Sequence, residues 1–527
     1  KPFWGASISG SLATLAARTT PPVASPKLGF SLRAWPGSLG GRRLAAMASG
    51  DEARTPRLSF DVRQPQRAAP APRQSRLSLL EFEPGMAQLH RKLTSSSFAQ
   101  ESADAPLPVG RTSTLSTGMN LITVMVGAGV LSFPKVFASA GWYAGPLILV
   151  ACAVSGREAG VAADKALAIC EERIRAGESF SFRRPEKVED MVEVAFGKAG
   201  KEAVGAVLSV FMLLLCGAFM ILIGASLQFL SNAMLPYRAW VLMTTVLFAG
   251  LCLLQDMDFL SRLSSVGVAA SFVYVLAIAQ AGLQAGFTNR SSPDFAVRYF
   301  PEKAFDVGIV LSVMFLSFGY SIVLPTVRAE MAAPEELPKA IDGSIVIVTF
   351  IYGTVSVMAY WGWGNAVNDN VLGSMIDGQG NRMIAGVALS LAVIANLFVT
   401  FPIILNVVAI STESRLGVQY SPAARLGLLA IAVTMGLLCP FFLEVLTLIG
   451  ATVGMVMLTF VPIVVYWKLV ITSGGAGPPR SEYIKHGGVV FLGLTAMTFG
   501  TYEAVGQLLE AMQKPGGNPF TSFWDPM

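Results

Sequence analysis

Residues 112–138 read TSTLSTGMNLITVMVGAGVLSFPKVFA, and the reading of this stretch decides the fold. It is apolar enough to cross a bilayer, yet it carries Gly127, Gly129 and Pro134. A helix in lipid must satisfy every backbone N–H and C=O group internally. Glycine weakens a helix, and proline removes a donor and clashes with the preceding turn. A break here leaves carbonyls and amides free at membrane depth, where they survive only lining a cavity or buried in protein. The stretch predicts a discontinuous helix of the kind that builds midplane sites in secondary transporters.

Composition sets the class. Of 527 residues, 53% are hydrophobic and 14% charged, against roughly 25% charged in a soluble domain. Eleven apolar segments near 20 residues predict an all-α integral membrane protein with 11 transmembrane helices. They fall near 114–137, 142–168, 203–230, 237–254, 263–286, 304–327, 341–363, 383–410, 425–440, 443–467 and 487–511. The second carries Arg157, Glu158, Asp164 and Lys165 in its later half, which is expected to leave the lipid as a continuing helix. The net charge of +5 is small and gives no reason to expect nucleic acid. Five scattered cysteines without CxxC spacing read as apolar fillers. Neither HExxH, nor a Ser/His/Asp arrangement, nor a ligand cluster occurs in the predicted spans, so an enzyme is disfavoured, and no metal or cofactor is expected.

Residues 1–111 read as a disordered amino-terminal tail, 112–511 as the transmembrane domain and 512–527 as a short carboxy-terminal tail. Residues 1–50 hold six Lys/Arg and no acid. They fit either a targeting segment or sequence upstream of a start at Met47. Basic residues crowd the connections on the side of the amino terminus. Only Arg238, Arg290, Arg298, Lys303, Arg382 and Lys514 fall opposite, which predicts a cytosolic amino terminus. The sequon Asn289-Arg290-Ser291 lies on the predicted outer or lumenal side, close to a span.

The sixth segment, DVGIVLSVMFLSFGYSIVLPTVRAEM at 306–331, has its own interruption at Gly319-Tyr320-Ser321, followed by Pro325. It comes five spans after the first. Interrupted helices at matching positions of two five-span halves predict a 5+5 inverted repeat, with the eleventh helix outside it. Glycine and proline are also common in membrane helices, and isolated glycines such as Gly217 or Gly267 fit that blander account.

Further residues carry a family resemblance. Asn120-Leu121, then Gly127-Ala128-Gly129-Val130-Leu131-Ser132-Phe133-Pro134, then Ala138-Ser139-Ala140-Gly141-Trp142 resemble the first helix of the amino acid/auxin permease family. SFGYSIVLPTVRAEMAAPEELPKAI, 317–341, resembles its sixth helix and following loop, most closely in vesicular inhibitory and vacuolar amino acid transporters. Leu397-Phe398-Val399-Thr400-Phe401-Pro402, Val445 to Ala451 and Phe499-Gly500-Thr501-Tyr502 also fit.

The resemblance implies proton- or sodium-coupled movement of amino acids in a vacuolar, lysosomal, vesicular or plasma membrane. It implies that substrate meets the unwound backbone at Gly127, Ala128, Gly129, Val130 and Leu131, and at Phe318, Gly319, Tyr320 and Ser321. Half-helix amino termini there would face the substrate carboxylate. Sodium-coupled members often have a second Asn three residues after the first; here Thr123 stands there, which favours protons. The coupling-ion candidates are Thr123, Thr400 and Glu503, the last also readable as an interfacial carboxylate. Lys135 is expected to snorkel toward the bilayer edge, and Arg328 and Glu413 to act as gate or anchoring charges. A transporter-like amino-acid sensor is the rival from another class.

Overall fold

The computed structural model describes residues 110–253, 264–293, 295–377, 380–474 and 477–513. These lie within one compact unit, Pro84–Met527. The amino-terminal tail before residue 110, including Met47, lies outside them.

Among the described residues the regular structure is helical, with two isolated bridges besides. In chain order the helices are α1 (Thr114–Met125), α2 (Phe133–Arg175), α3 (Val188–Leu230), α4 (Tyr237–Cys252), α5 (Ser264–Asn289), α6 (Asp306–Ser317) and α7 (Leu324–Glu330). There follow α8 (Leu337–Trp363), α9 (Ile384–Leu416), α10 (Pro422–Leu438), α11 (Phe442–Ile449), α12 (Val461–Thr472), α13 (Arg480–Thr495) and α14 (Thr501–Gln513). Two π-helical turns link α11 to α12, and one links α13 to α14.

By length and composition, seven of these helical stretches can cross a membrane, or eight if the bent pair Phe442–Gly454 and Val456–Thr472 is one span. Two further apolar helices, α4 and α10, are shorter. The chain is thus an all-helical, multi-pass membrane protein.

Both interruptions expected from the sequence occur. The Ser113 hydroxyl caps α1 by accepting the Ser116 N–H. The helix stops at Met125, Gly127 is extended (φ −108°, ψ −158°), and the chain resumes as a 3-10 turn, Ala128–Ser132. Pro134 lies in the first turn of α2. It starts the next helix, where its missing N–H costs nothing. The second break separates α6 from the turn Ser321–Val323, and Pro325 again opens the helix that follows. Left-handed torsions play no part: the glycines with positive φ do not include Gly127, Gly129 or Gly319.

Gly141 does need its freedom. It turns the chain inside α2 with φ +82°, and a Cβ there would meet the Tyr299 carbonyl carbon at 2.6 Å. Beyond that bend α2 runs unbroken to Arg175, as a helix continuing past the predicted span. Three of its acids are not solvated, however: Glu158, Asp164 and Glu171 are buried.

Helix α5 packs on α8 and α9, α9 on α3, and α8 on both α1 and α2. Membrane helices gain little from the hydrophobic effect against lipid, so close packing at small residues matters. Gly282 on α5 and Gly362 on α8 illustrate this, since a Cβ on either would collide with the backbone opposite. The sequon residue Asn289 is engaged in the same contact, donating to the Gly362 carbonyl at 3.2 Å.

Candidate functional site

A cavity of about 430 Å³ lies between the two breaks, within the roughly 300–1,000 Å³ usual for small-molecule sites. Gly127 and Gly129 line it from the first break, and Ser317 and Gly319 from the second. Gly267 and Ser271 come from α5, Asn396 and Thr400 from α9. Phe211, Met212, Leu215 and Phe219 of α3 form an apolar wall. Two other recesses, at Trp142 with Trp361 and at Glu413 with Arg425, lie near helix ends and touch neither break.

The breaks touch. A Cβ on Gly129 would stand 2.9 Å from Ser317 Oγ, so glycine sets how closely the first break approaches the second. The carbonyls freed at the breaks find donors on neighbouring helices. The Tyr352 hydroxyl of α8 donates to the Met125 carbonyl at 2.5 Å, with the Ser317 carbonyl 3.1 Å away. The Ser271 hydroxyl donates to the Val126 carbonyl at 2.8 Å. Tyr352 is fully buried, with Phe133 and Phe318 rings packed on it at 4.2 and 5.3 Å between centroids. By helix geometry, the leading amides of the Ala128–Ser132 turn have no intrahelical partner.

Of the residues expected at the site, Gly127, Gly129, Gly319, Thr123 and Thr400 line the cavity. Ala128 contributes backbone to the 3-10 turn. Val130, Leu131, Phe318, Tyr320 and Ser321 are buried and do not line it. Two of them bond to neighbouring segments: the Ser321 hydroxyl donates to the Leu458 carbonyl at 2.7 Å, and the Tyr320 hydroxyl to the Gly156 carbonyl at 3.2 Å. Thr123 donates to its own helix at the Met119 carbonyl (2.9 Å), and Thr400 to Asn396 Oδ1 (3.2 Å). Glu503 stays apart: it sits half-exposed on α14, accepting from Gln507 Nε2 at 3.0 Å.

Gly267 departs from the sequence reading, which took it for an ordinary span glycine. It lines the cavity, and a Cβ there would meet Asn396 Oδ1 at 2.9 Å. Tyr352, Ser271, Ser317 and the pair Gly156 and Gly160 were not singled out by the sequence. The last pair had a signal, since glycines four apart on a helix make a face others can approach. Phe318 and Tyr320 occupy that face, and a Cβ on Gly160 would collide with Tyr320.

Charges gather at helix ends. Arg328 of α7 pairs with Asp164 and with Glu171 of α2, all three buried, and donates to the Pro334 carbonyl. Arg184 holds the Ala329 carbonyl at 2.8 Å. The bridge from Thr112 N to the Glu330 carbonyl, 2.9 Å, ties the approach to α1 to the same corner. Glu413 pairs with buried Arg425 at 2.9 Å. Lys135 does not snorkel freely; its ammonium meets the Val367 carbonyl and Asp369, each at 3.2 Å.

The family model described as transmembrane amino acid transporter protein matches residues 110–505, which includes both breaks and every helix around the cavity. The chain belongs to the transmembrane amino acid transporter family. This is a family of transporters, not of enzymes. Among the curated relatives of this family member, Amino acid transporter AVT1J of Arabidopsis thaliana is 25% identical over 76% of this chain and 92% of the relative. Amino acid transporter AVT1B of the same plant is 25% identical over 75% of this chain and 71% of the relative. Among solved structures, the crystal structure of MhsT in complex with L-phenylalanine aligns with a TM-score of 0.43 at 13% identity, over 77% of this chain and all of that one. That likeness is too loose to argue from.

Proposed function

We propose that this chain is a secondary active transporter of amino acids, coupled to protons, in which substrate binds at the two breaks. The observation that carries the reading is the cavity lined by Gly127 and Gly129 from one break and Ser317 and Gly319 from the other. Free backbone groups at membrane depth require a partner, and a zwitterion supplies both signs of charge. The amino-acid cargo named for AVT1J and AVT1B supports the same substrate class.

The proposed architecture is eleven spans, ten of them a 5+5 inverted repeat with α1 to α2 and α6 to α7 as its broken helices. The amino terminus is cytosolic and the carboxy terminus opposite. Tags at Met47 and after Gln513 then differ in protease accessibility in sealed vesicles; equal accessibility contradicts the count.

The preference for protons rests on Thr123, which stands where sodium-coupled members of the resembled family often carry Asn. Thr123 uses its hydroxyl on its own helix. Thr123 and Thr400 line the cavity, where their hydroxyls, which do not titrate, can serve a coupling ion only as oxygen ligands.

The test is uptake of a panel of labelled amino acids by the purified chain in proteoliposomes. Net accumulation is expected. Binding without flux would make the chain a sensor instead.

A further inference from the structure

Among the described residues that line the cavity there is no Asp, Glu, Lys, Arg or His. Five side chains there are polar, Thr123, Ser271, Ser317, Asn396 and Thr400. Four of these already donate their hydroxyls: Thr123 to Met119 O, Ser271 to Val126 O, Ser317 to Val313 O and Thr400 to Asn396. All five stand on the broken helices, α5 or α9. The α3 and α11 contributions are wholly apolar, Phe211, Met212, Leu215 and Phe219 with Phe442 and Leu446, while α9 and the broken helices mix apolar residues such as Leu397, Ile404 and Leu316 with the polar five.

We infer that the cavity takes a zwitterionic amino acid with a large apolar side chain, aliphatic, thioether or aromatic. This rests on the proposed function and names its substrate class. Every polar group of the lining stands on the broken helices, α5 or α9, so the amine and carboxylate are placed at the breaks and the side chain against the wholly apolar α3 and α11 faces. A cationic or acidic side chain placed there would lose its water and gain no counter-charge, a cost that buried charges avoid only by pairing. A small side chain would leave apolar wall unfilled, and each methylene of mismatch in an apolar pocket is worth roughly tenfold or more in discrimination. The nearby charges are spent elsewhere. Arg157 pairs with Glu158 and Asp342, and Phe318 and Tyr320 pack against the same stretch of α2 at Gly156 and Gly160.

The experiment measures binding to the purified full-length chain in lipid nanodiscs, by thermal stabilisation and by displacement of labelled leucine. No gradient is imposed, so coupling does not enter. The panel is leucine, isoleucine, methionine, phenylalanine, alanine, glycine, lysine, arginine, aspartate and glutamate. The first four are expected to bind tightest, alanine and glycine at least about tenfold more weakly, and the four charged amino acids not at all. Tightest binding by a charged amino acid or by glycine overturns the inference and leaves amino-acid transport standing. Binding by none of the panel overturns both.

Discussion

The Tyr352 hydroxyl lies 2.5 Å from the carbonyl oxygen of Met125, the last residue of α1, and 3.1 Å from that of Ser317, the last residue of α6. One buried side chain on α8 thus touches both helices where each stops. Tyr352→Phe keeps the rings packed on Phe133 and Phe318 but removes the only proton of that group. A buried acceptor left unsatisfied costs about 1–3 kcal/mol. The melting temperature in detergent should fall, and amino-acid binding should weaken about tenfold, the equivalent of about 1.4 kcal/mol. Unchanged binding and stability would show that the hydroxyl merely fills space.

A second prediction uses the glycines. Gly127 is extended, a backbone any residue adopts, and a Cβ there would find nothing nearer than the Val124 carbonyl at 4.0 Å. Valine at this position should therefore fit the backbone and project into the cavity. Gly127→Val should abolish amino-acid binding while the protein inserts and melts normally. Gly343→Val is the control, because an added Cβ there meets nothing within 4 Å. Equal loss from both substitutions would mean that bulk in any helix is harmful and that the first break is not the site.

The Arg328 cluster gives a third. Removing one partner of a buried pair leaves an uncompensated charge and costs about 3–5 kcal/mol. Arg328→Met should lower the melting temperature sharply, because Asp164 and Glu171 stay behind. Adding Asp164→Asn should recover much of the loss, while Glu171, which also pairs with Arg175 and Arg184, is kept. Additive losses from the two substitutions, read from melting of the purified variants, would show that the groups are not coupled.

A fourth concerns Glu503. It bonds Gln507 on its own helix and does not line the cavity. Glu503→Gln should leave proton-driven uptake within about twofold of the parent, less than 1 kcal/mol. Loss of proton-driven uptake with exchange preserved would make Glu503 the proton carrier at a distance from the substrate.

The breaks were legible because their cause is local. Gly127 and Gly129 before Pro134, and Gly319 before Pro325, interrupt apolar runs that have no other reason to stop. What partners the freed carbonyls was not legible. Tyr352 and Ser271 sit in spans of ordinary composition, and only packing brings them to Met125 and Val126, more than 100 residues away in sequence. Gly267 misled for the same reason: nothing in its neighbours says that it faces Asn396. The burial of Asp164 was equally hidden, because its partner Arg328 lies beyond the second break.

The most direct test of the central claim, a proton-driven amino acid transporter, is net uptake of labelled leucine by the purified chain in proteoliposomes under an imposed pH gradient. Accumulation above the external concentration is expected, collapsing with a protonophore and persisting when potassium replaces sodium. Leucine that binds without accumulating, or accumulates only with sodium, would contradict it.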